Sequence, residues 1–294
     1  MNKRTTGEKV FAVINTILLC LLTLIFVVPI LHVIFASISD PLLLSANKGL
    51  ILWPLGTPTL EGYRLVFINA TIIRSYLNTI LYVVSATGIG VILSCFAAYA
   101  LSRKNLAGSG LITFIIAFTM LFNGGLIPTY MVVRSLGMLE TRWAIIIPNC
   151  VSVFNIMIMR TSFASIPDGL EEAARIDGAG HFRILFSIIL PVSKAILAVV
   201  VLFYAIQHWN SWFHTAIYVT SRRELHPLQI VLREIVLQNS TSVLEVGAEP
   251  GELNLARMLV RYAVIMVSII PMMIIYPFVQ KYFVTGVMIG SIKG

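Results

Sequence analysis

The sequence predicts an all-α membrane protein with six transmembrane helices, and three observations lead to this prediction. Hydrophobic residues make up 58% of the 294-residue chain and charged residues only 12%, which is too little polar surface to cover a water-soluble domain. The mean hydropathy is +0.91. Six apolar stretches each reach the length of about 20 residues that a helix needs to cross the hydrocarbon core. They are Phe11–Ser39, Ser75–Leu101, Gly110–Val133, Trp143–Phe163, Pro191–Ile217 and Met258–Gln280.

The basic residues orient these spans. With the N-terminus in the cytoplasm, the cytoplasmic segments hold eleven Lys and Arg residues and the outer loops nine, although the cytoplasmic segments are shorter in total. This distribution favours a cell-membrane protein with both termini in the cytoplasm. The net charge is +8, but the basic runs are no longer than pairs such as Arg222-Arg223 and lie at the ends of apolar stretches. The basic residues are therefore explained by the membrane, and no nucleic-acid partner is predicted.

The same pattern divides the chain into three parts. Residues 1–74 form the first span and an outer loop, residues 75–280 form the transmembrane core, and residues 281–294 form a cytoplasmic tail. The three cysteines fall inside apolar stretches without the spacing of metal ligands, and no metal site is predicted.

One polar, helix-forming segment, residues 166–191, interrupts the core on the predicted cytoplasmic side. Pro167 and Asp168 suit a helix start, and Glu171 and Glu172 complement the positive end of the helix dipole. Gly178 is expected to end this helix because glycine tolerates the positive φ found at helix ends. A second helix follows until Pro191, where the fifth span is predicted to begin. A solvated amphipathic connector would show the same pattern.

The segment resembles the EAA loop of ABC importer permeases, on the residues Glu172-Ala173-Ala174, Asp177-Gly178-Ala179 and Leu190-Pro191. Flanking stretches also resemble the carbohydrate-uptake branch, namely the maltose-type and lipoprotein-C-like permeases for oligosaccharides. These stretches are residues 123–130, 209–212, 227–229 and 280–286. The resemblance covers about Tyr63 to Gly294. One departure is Ala195, where the family often has a second proline.

The resemblance implies a type I permease fold in which the loop is a cytoplasmic coupling helix held in a groove of a separate ATPase. Its small residues would allow close approach, Glu172 would supply a charge to the ATPase, and Asp177 would brace the turn. The implied ATPase-coupling residues are Glu171, Glu172, Ala173, Ala174, Asp177, Gly178 and Ala179. The implied partners are a second permease subunit, giving a heterodimer, two ATP-binding subunits, an extracytoplasmic binding protein and an oligosaccharide.

The sequence contains no Gly-x-x-x-x-Gly-Lys-Ser/Thr loop to hold phosphates. The chain is therefore predicted to be a transport subunit rather than an enzyme and to carry no cofactor, with ATP and Mg bound by the partner ATPase.

Polar side chains in the fourth and fifth spans suggest a substrate pathway, because polar groups at membrane depth usually face a bundle interior or a cavity. Sugars bind through hydrogen bonds and aromatic contacts, and both are available here. The predicted pathway residues are Asn149, Ser152, Asn155, Tyr204, Gln207 and Asn210. Hydrogen bonding between helices, together with an interfacial aromatic belt, is the alternative.

Two further observations bear on the function class. His208 and His214 are six residues apart in the fifth predicted span, so they are expected to lie on different faces and to make a poor metal site. The predicted spans lack buried acids, which argues against a proton-coupled carrier. A secondary carrier or channel for a small polar solute remains the alternative function, and the identity of the sugar is open.

Overall fold

A computed structural model describes residues 5–103, 106–237 and 250–291, and every regular element in these ranges is helical. Residues 238–249 of the predicted outer loop and residues 292–294 of the predicted tail lie outside the described residues. The chain forms two compact units, Met1–Ile73 with Leu232–Ile270 and Arg74–Val231 with Pro271–Gly294.

The first unit begins with a long apolar helix, α1 (Thr6–Ser37). A reciprocal pair of hydrogen bonds caps it: the Thr5 N–H donates to the Glu8 carboxylate (2.9 Å), and the Glu8 N–H donates to the Thr5 hydroxyl (3.4 Å). The short helices α2 (Pro41–Ala46) and α3 (Glu61–Ile68) follow. The first predicted span is confirmed as this helix.

In the second unit, α4 (Ala70–Ser102) contains the second predicted span. The third predicted span is wrong as a single helix, because α5 (Ser109–Leu121) and α6 (Leu126–Ser135) meet at 109°. At the break, Gly125 has φ 83° and its N–H donates to the Asn123 side chain at 3.0 Å. Apolar residues continue on both sides of this short turn, so the hydropathy averaged over a span does not reveal it.

The fourth predicted span is also interrupted. The structure has α7 (Trp143–Ile146), an irregular segment, and then α8 (Val153–Ala164). Pro148 lies in the irregular segment and has no N–H to continue a helix. The 12 residues of α8 extend about 18 Å, which is short of the ~30 Å hydrocarbon core.

The polar segment forms α9 (Asp168–Ile176) and then a second helical run. This run consists of α10 (His181–Ile184), a π-helical turn (Leu185–Ile189) and α11 (Leu190–Val192). The start of the fifth span at Pro191 is wrong: the chain continues as a helix to Val192 and then bends by 88° at Ser193. Pro191 cannot donate to the carbonyl four residues earlier, and the π-turn lies at that place.

The fifth predicted span is divided a second time. After the bend, α12 (Lys194–Trp209) ends before Asn210, and α13 (Phe213–Tyr218) follows a three-residue break. A 3₁₀ turn (Arg223–Leu225) leads to α14 (Leu228–Leu237).

The last helix, α15 (Pro250–Ser291), contains the sixth predicted span. Within the described residues, three helices are long and apolar enough to cross a membrane, and the two bent pairs raise the number of candidate spans to five. The structure is thus an all-helical membrane protein with three to five candidate spans, against six predicted.

A hydrophobic cluster in the second unit positions the polar segment. It includes the buried side chains of Met159 and Phe163 on α8, Ala174 on α9, Ile184 on α10 and Tyr204 on α12. The segment is therefore packed on the core and is not a loose connector.

Candidate functional site

The first candidate site is α9, which ends at the glycine where the sequence predicted its end. The Gly178 N–H donates to the Arg175 carbonyl (3.0 Å) and the Ala179 N–H to the Ala174 carbonyl (2.9 Å). Gly178 itself has φ 78°. These two bonds with a glycine at positive φ form a Schellman motif, and the predicted helix end at Gly178 is confirmed.

The predicted coupling residues lie partly on the buried face of α9 and partly on its exposed face and the turn that follows. Glu171 and Ala174 are buried and Ala179 is half-buried, whereas Glu172, Ala173, Asp177 and Gly178 are exposed. Ile176, at the end of the helix, is 87% exposed. Glu172, Ala173, Ile176, Asp177 and Gly178 form an exposed surface, named here the α9 ridge, with two small residues, two acidic residues and one large apolar side chain. Such a surface can enter a groove in another protein.

Glu171 is held inside the subunit by two arginines. Arg103, one residue beyond the end of α4, donates to its Oε2, and Arg175 donates to its Oε1 from Nη2 (2.7 Å) and Nε (3.2 Å). Burial raises the pKa of Glu171, but hydrogen bonds from Arg175 and Arg103 and their positive charges outweigh it and hold that pKa below its ordinary value. Glu171 is therefore a charged residue already paired within this chain.

The second helical run contacts α4 through aromatic side chains. The Tyr99 hydroxyl and His181 Nδ1 are 3.1 Å apart, and the Phe96 ring lies edge-on to both Phe182 and Phe186. The end of α4 thus touches both halves of the polar segment. A cavity of about 600 Å³ lies between them, lined by Tyr99, Ala100, Ser102, Arg103, Leu106, Asp168, Glu171, Glu172, Arg175 and His181.

The predicted pathway residues form a second candidate site, and the structure brings three of the six together. Asn149, Gln207 and Asn210 line one cavity of about 200 Å³. The rest of its lining consists of His208, Ser211, Trp212, Phe213 and His214. Neither Asn149 Nδ2 nor His208 Nε2 has a hydrogen-bond partner among the described residues, although both atoms are buried.

The other three pathway residues are not among those that line this cavity. The hydroxyl of the fully buried Tyr204 lies 2.6 Å from Ser94 Oγ and accepts from the Ser152 N–H (2.9 Å). Ser152 caps α8 through the Asn155 N–H, and Asn155 Oδ1 is buried with no partner among the described residues. In this conformation Tyr204 and Ser152 connect structural elements, and their hydrogen-bonding groups are occupied.

The expectation that His208 and His214 lie on different faces is wrong, because the helix that was to carry both ends at Trp209. The break at Asn210–Trp212 redirects the chain, so both imidazoles line the same cavity. No group of three or more His, Cys, Asp or Glu side chains suited to a metal occurs in the described ranges.

Arg103, Arg175, Ile176 and His208 are among the residues at these sites that were not predicted as site residues from the sequence. Arg175 was detectable, because it follows Glu171 by four residues on one helix. Arg103 was not, because 68 residues separate it from Glu171.

The comparison with known sequences identifies close relatives over nearly the whole chain. The permease YtcP of a polygalacturonan/rhamnogalacturonan transport system of Bacillus subtilis is 38% identical, with 94% of this chain and 96% of YtcP aligned. Protein LplC of the same organism is 35% identical, over 99% of this chain and 97% of its own length. No protein-family model matches the chain.

A solved structure agrees with these relatives. A chain of a bacterial ABC transporter involved in the import of the acidic polysaccharide alginate superposes with a TM-score of 0.86 at 34% identity, covering 96% of this chain and all of the other. This similarity excludes the secondary carrier and channel. The chain belongs to the carbohydrate ABC transporter permeases: it is a multi-pass membrane subunit, not itself catalytic, of a binding-protein-dependent importer for sugars or oligosaccharides.

Proposed function

We propose that this permease imports an acidic oligosaccharide delivered by an extracytoplasmic binding protein. It works as one half of a permease heterodimer, and two partner ATPases bind the ATP and Mg. The α9 ridge transmits the ATPase movement to the membrane helices. Both termini and α9 face the cytoplasm, in the six-span arrangement of type I importers.

The order of sequence identities supports an acidic substrate. The relatives named for polygalacturonan/rhamnogalacturonan and for alginate are 38% and 34% identical. Permeases named for maltodextrin and for melibiose, raffinose and stachyose, which are uncharged sugars, are 28% and 26% identical over about four-fifths of the chain. Polygalacturonan, like alginate, is a polymer of uronic acids.

The groups that line the cavity beside α12 are suited to binding a sugar. Its lining offers amide, hydroxyl and imidazole groups together with the rings of Trp212 and Phe213, and no carboxylate occurs among the lining residues in the described part of the chain. The unpartnered Asn149 Nδ2 can donate to a sugar hydroxyl or carboxylate, and His208 Nε2 can donate or accept. Its volume of about 200 Å³ is below the ~300 Å³ of sites for drug-sized ligands, which suits one sugar unit of a chain.

The exposed residues of α9 support the coupling role. Glu172 and Ala173 lie on the free face of the helix, and Ile176 extends at its tip, while Glu171 and Ala174 are packed inward. We infer that Glu172 pairs with a basic residue of the ATPase and that Ile176 fills an apolar site in its groove.

Reconstituted transport tests the substrate class. The permease, its partner subunits and the binding protein are placed in liposomes with internal ATP, and uptake of labelled trigalacturonate is compared with uptake of its carboxyl-reduced form and of maltotriose. Of these three sugars, we expect only trigalacturonate to be taken up and to stimulate ATP hydrolysis. Gln207→Ala is expected to raise the KM for uptake, and the exposed Arg64→Gln serves as the unaffected control. Preference for the neutral sugars would reject the acidic class.

Co-purification tests the docking surface separately. Ile176→Asp is expected to release the ATPase from the membrane complex, because it places a charge in an apolar contact. Ile176→Leu keeps the apolar volume and should retain the ATPase. Glu172→Gln should weaken the binding of the ATPase, because it removes the charge inferred to pair with a basic residue of that subunit. The exposed Glu61→Gln is its control and should behave as wild type. Retention of the ATPase by Ile176→Asp would show that α9 is not the docking element.

A further inference from the structure

Two arginines exchange hydrogen bonds between the ends of α4 and α8. Arg160 of α8 donates from Nε to the Leu101 carbonyl in the last turn of α4 (3.1 Å), and Arg103, just beyond α4, donates from Nη2 to the Phe163 carbonyl in the last turn of α8 (3.2 Å). Carbonyl groups at helix ends lack partners within their own helix, and cations there also complement the helix dipole. Each arginine therefore caps the helix that it does not belong to.

The same Arg103 guanidinium also holds the coupling helix. Its Nη1 donates to Glu171 on α9, while its Nε and Nη2 donate to the Ser102 hydroxyl at 3.1 and 3.0 Å. The guanidinium carbon lies 5.0 Å from the centre of the Tyr99 ring. A guanidinium can make these contacts together because its five donors lie in one rigid plane, and a lysine ammonium cannot reproduce them.

The bridge between α4 and α9 is shielded from water. The side chains of Arg103 and Glu171 are 15% and 12% exposed, whereas the surface pair Arg64–Glu61 is 70% and 46% exposed. A charge pair in such surroundings is screened little, and removal of one partner leaves the other charge without compensation. The connection between α4 and α9 at this point therefore requires both residues.

We propose that Arg103 is the positioning residue that joins the coupling helix to the ends of α4 and α8. When the ATPase displaces α9, Arg103 makes the ends of both helices move with it, so that the movement opens and closes the transport pathway. This inference rests on the proposed docking of α9 to the ATPase. It adds the connection inside the permease between that docking surface and the membrane helices.

The test measures the number of ATP molecules hydrolysed per sugar imported by the reconstituted complex. Arg103→Gln is expected to keep the ATPase bound and hydrolysing while the ratio rises by about tenfold or more, which is the size of a typical coupling effect. Arg103→Lys should give an intermediate ratio, because it keeps a charge near Glu171 and loses the planar fork. Arg64→Gln is the matched control and should leave the ratio unchanged.

A cross-linking experiment distinguishes the loss of the link between Arg103 and Glu171 from a general disturbance of the structure. In a Cys20→Ser background, Arg103→Cys with Glu171→Cys should uncouple the complex, and a thiol cross-linker of side-chain length should restore a low ratio. Cys95 and Cys150 are buried and are left in place. Hydrogen exchange of residues 171–179 in the same complexes reports on the fixation of α9 without depending on transport. We expect faster exchange in Arg103→Gln.

The outcomes are distinguishable. An unchanged ratio in Arg103→Gln, or a cross-linked complex that stays uncoupled, would overturn the role of Arg103, as would loss of the ATPase from Arg103→Gln. If the Ile176→Asp complex retains its ATPase, or if the wild-type complex imports no sugar, the proposed function fails instead. The exchange of α9 still decides whether Arg103 fixes that helix.

Discussion

The hydroxyl of Tyr204 accepts a hydrogen bond of 2.9 Å from the backbone N–H of Ser152. Through Ser94, 2.6 Å away, the same hydroxyl reaches α4, and the Tyr204 ring stacks on His208 with 6° between the planes. One side chain of α12 therefore joins α4, the start of α8 and an imidazole that lines the small cavity. This buried contact therefore adjoins the cavity through His208, which lines it.

Tyr204→Phe removes the hydroxyl and keeps the ring. The Ser152 N–H loses its acceptor and the buried Ser94 loses its partner, so we expect a destabilisation of about 1–3 kcal/mol, seen as a lower midpoint of thermal unfolding in detergent. Tyr130→Phe is the control, because the Tyr130 hydroxyl makes no hydrogen bond within the described residues. Equal midpoints for the two variants would contradict the bridging role of Tyr204.

At Gly90, α4 passes close to the backbone of Cys150 and to the Tyr204 ring. A Cβ at this position would collide with the Cys150 carbonyl oxygen and lie 3.1 Å from the Tyr204 ring. We expect Gly90→Ala to lower the free energy of unfolding by about 1–3 kcal/mol through overpacking. Gly88→Ala on the same helix meets nothing within 4 Å, and it should be neutral or slightly stabilising because alanine favours a helix. A neutral Gly90→Ala would mean that the helices can separate at little cost.

Hydropathy alone was sufficient to locate α1, α4 and α15, because an uninterrupted apolar helix leaves an unambiguous trace in composition. It could not locate the bends at Gly125 and Ser193, where apolar residues continue on both sides of a change in direction. The two glycines at 124–125 were the available signal for the first bend, and Pro191 was the signal for the second, two residues before it occurs at Ser193.

The two sites differ in the same way. The end of α9 at Gly178 followed from local rules, since a glycine after a charged helix predicts a Schellman motif. To predict the cavity that His208 lines, one would need to know where α12 ends. To predict the bridge between Arg103 and Glu171, one would need to know which helices pack together. Contacts between residues far apart in sequence leave no periodic signal in a single chain.

Gly178 and Gly180 provide a matched pair for testing the turn after α9. A Cβ would meet nothing within 4 Å at either position, but Gly178 has φ 78° and Gly180 has φ −75°. Gly178→Ala should cost about 1 kcal/mol of folding free energy because an L-residue is strained at positive φ, whereas Gly180→Ala should be close to neutral. Thermal unfolding of the two variants checks this. Equal effects would show that backbone conformation is not the constraint at Gly178.

The Glu140 carboxylate holds the distant loop of residues 220–222 by accepting hydrogen bonds from four donor groups. Its Oε1 accepts from the Thr220 N–H, the Thr220 hydroxyl and the Ser221 N–H (2.9–3.1 Å), and its Oε2 accepts from the Arg222 N–H (3.1 Å). We expect Glu140→Ala to raise the amide exchange rates of residues 220–222 by about tenfold or more, because these N–H groups lose their acceptor. Glu224→Ala breaks only an exposed pair with Arg222 and should leave them protected. Unchanged exchange in Glu140→Ala would contradict the fastening.

The buried pairing of Glu171 predicts how stability depends on pH. Burial raises the pKa of Glu171, but the hydrogen bonds and charges of Arg175 and Arg103 lower it below the ordinary value of 4.5. A carboxyl whose pKa is lower in the folded state stabilises the protein fully above its ordinary pKa, and this contribution disappears as the pH falls through the lowered pKa.

At neutral pH, Glu171→Gln should therefore destabilise the permease by about 2 kcal/mol, the size of a hydrogen bond to a charged group. Unfolding of both proteins in detergent should show this difference shrinking as the pH falls below 4.5. Glu61→Gln removes an exposed pair and should match wild type at every pH. A difference between Glu171→Gln and wild type that persisted at acid pH would show that side-chain packing, and not the charge held by Arg103 and Arg175, accounts for the stability that Glu171 provides.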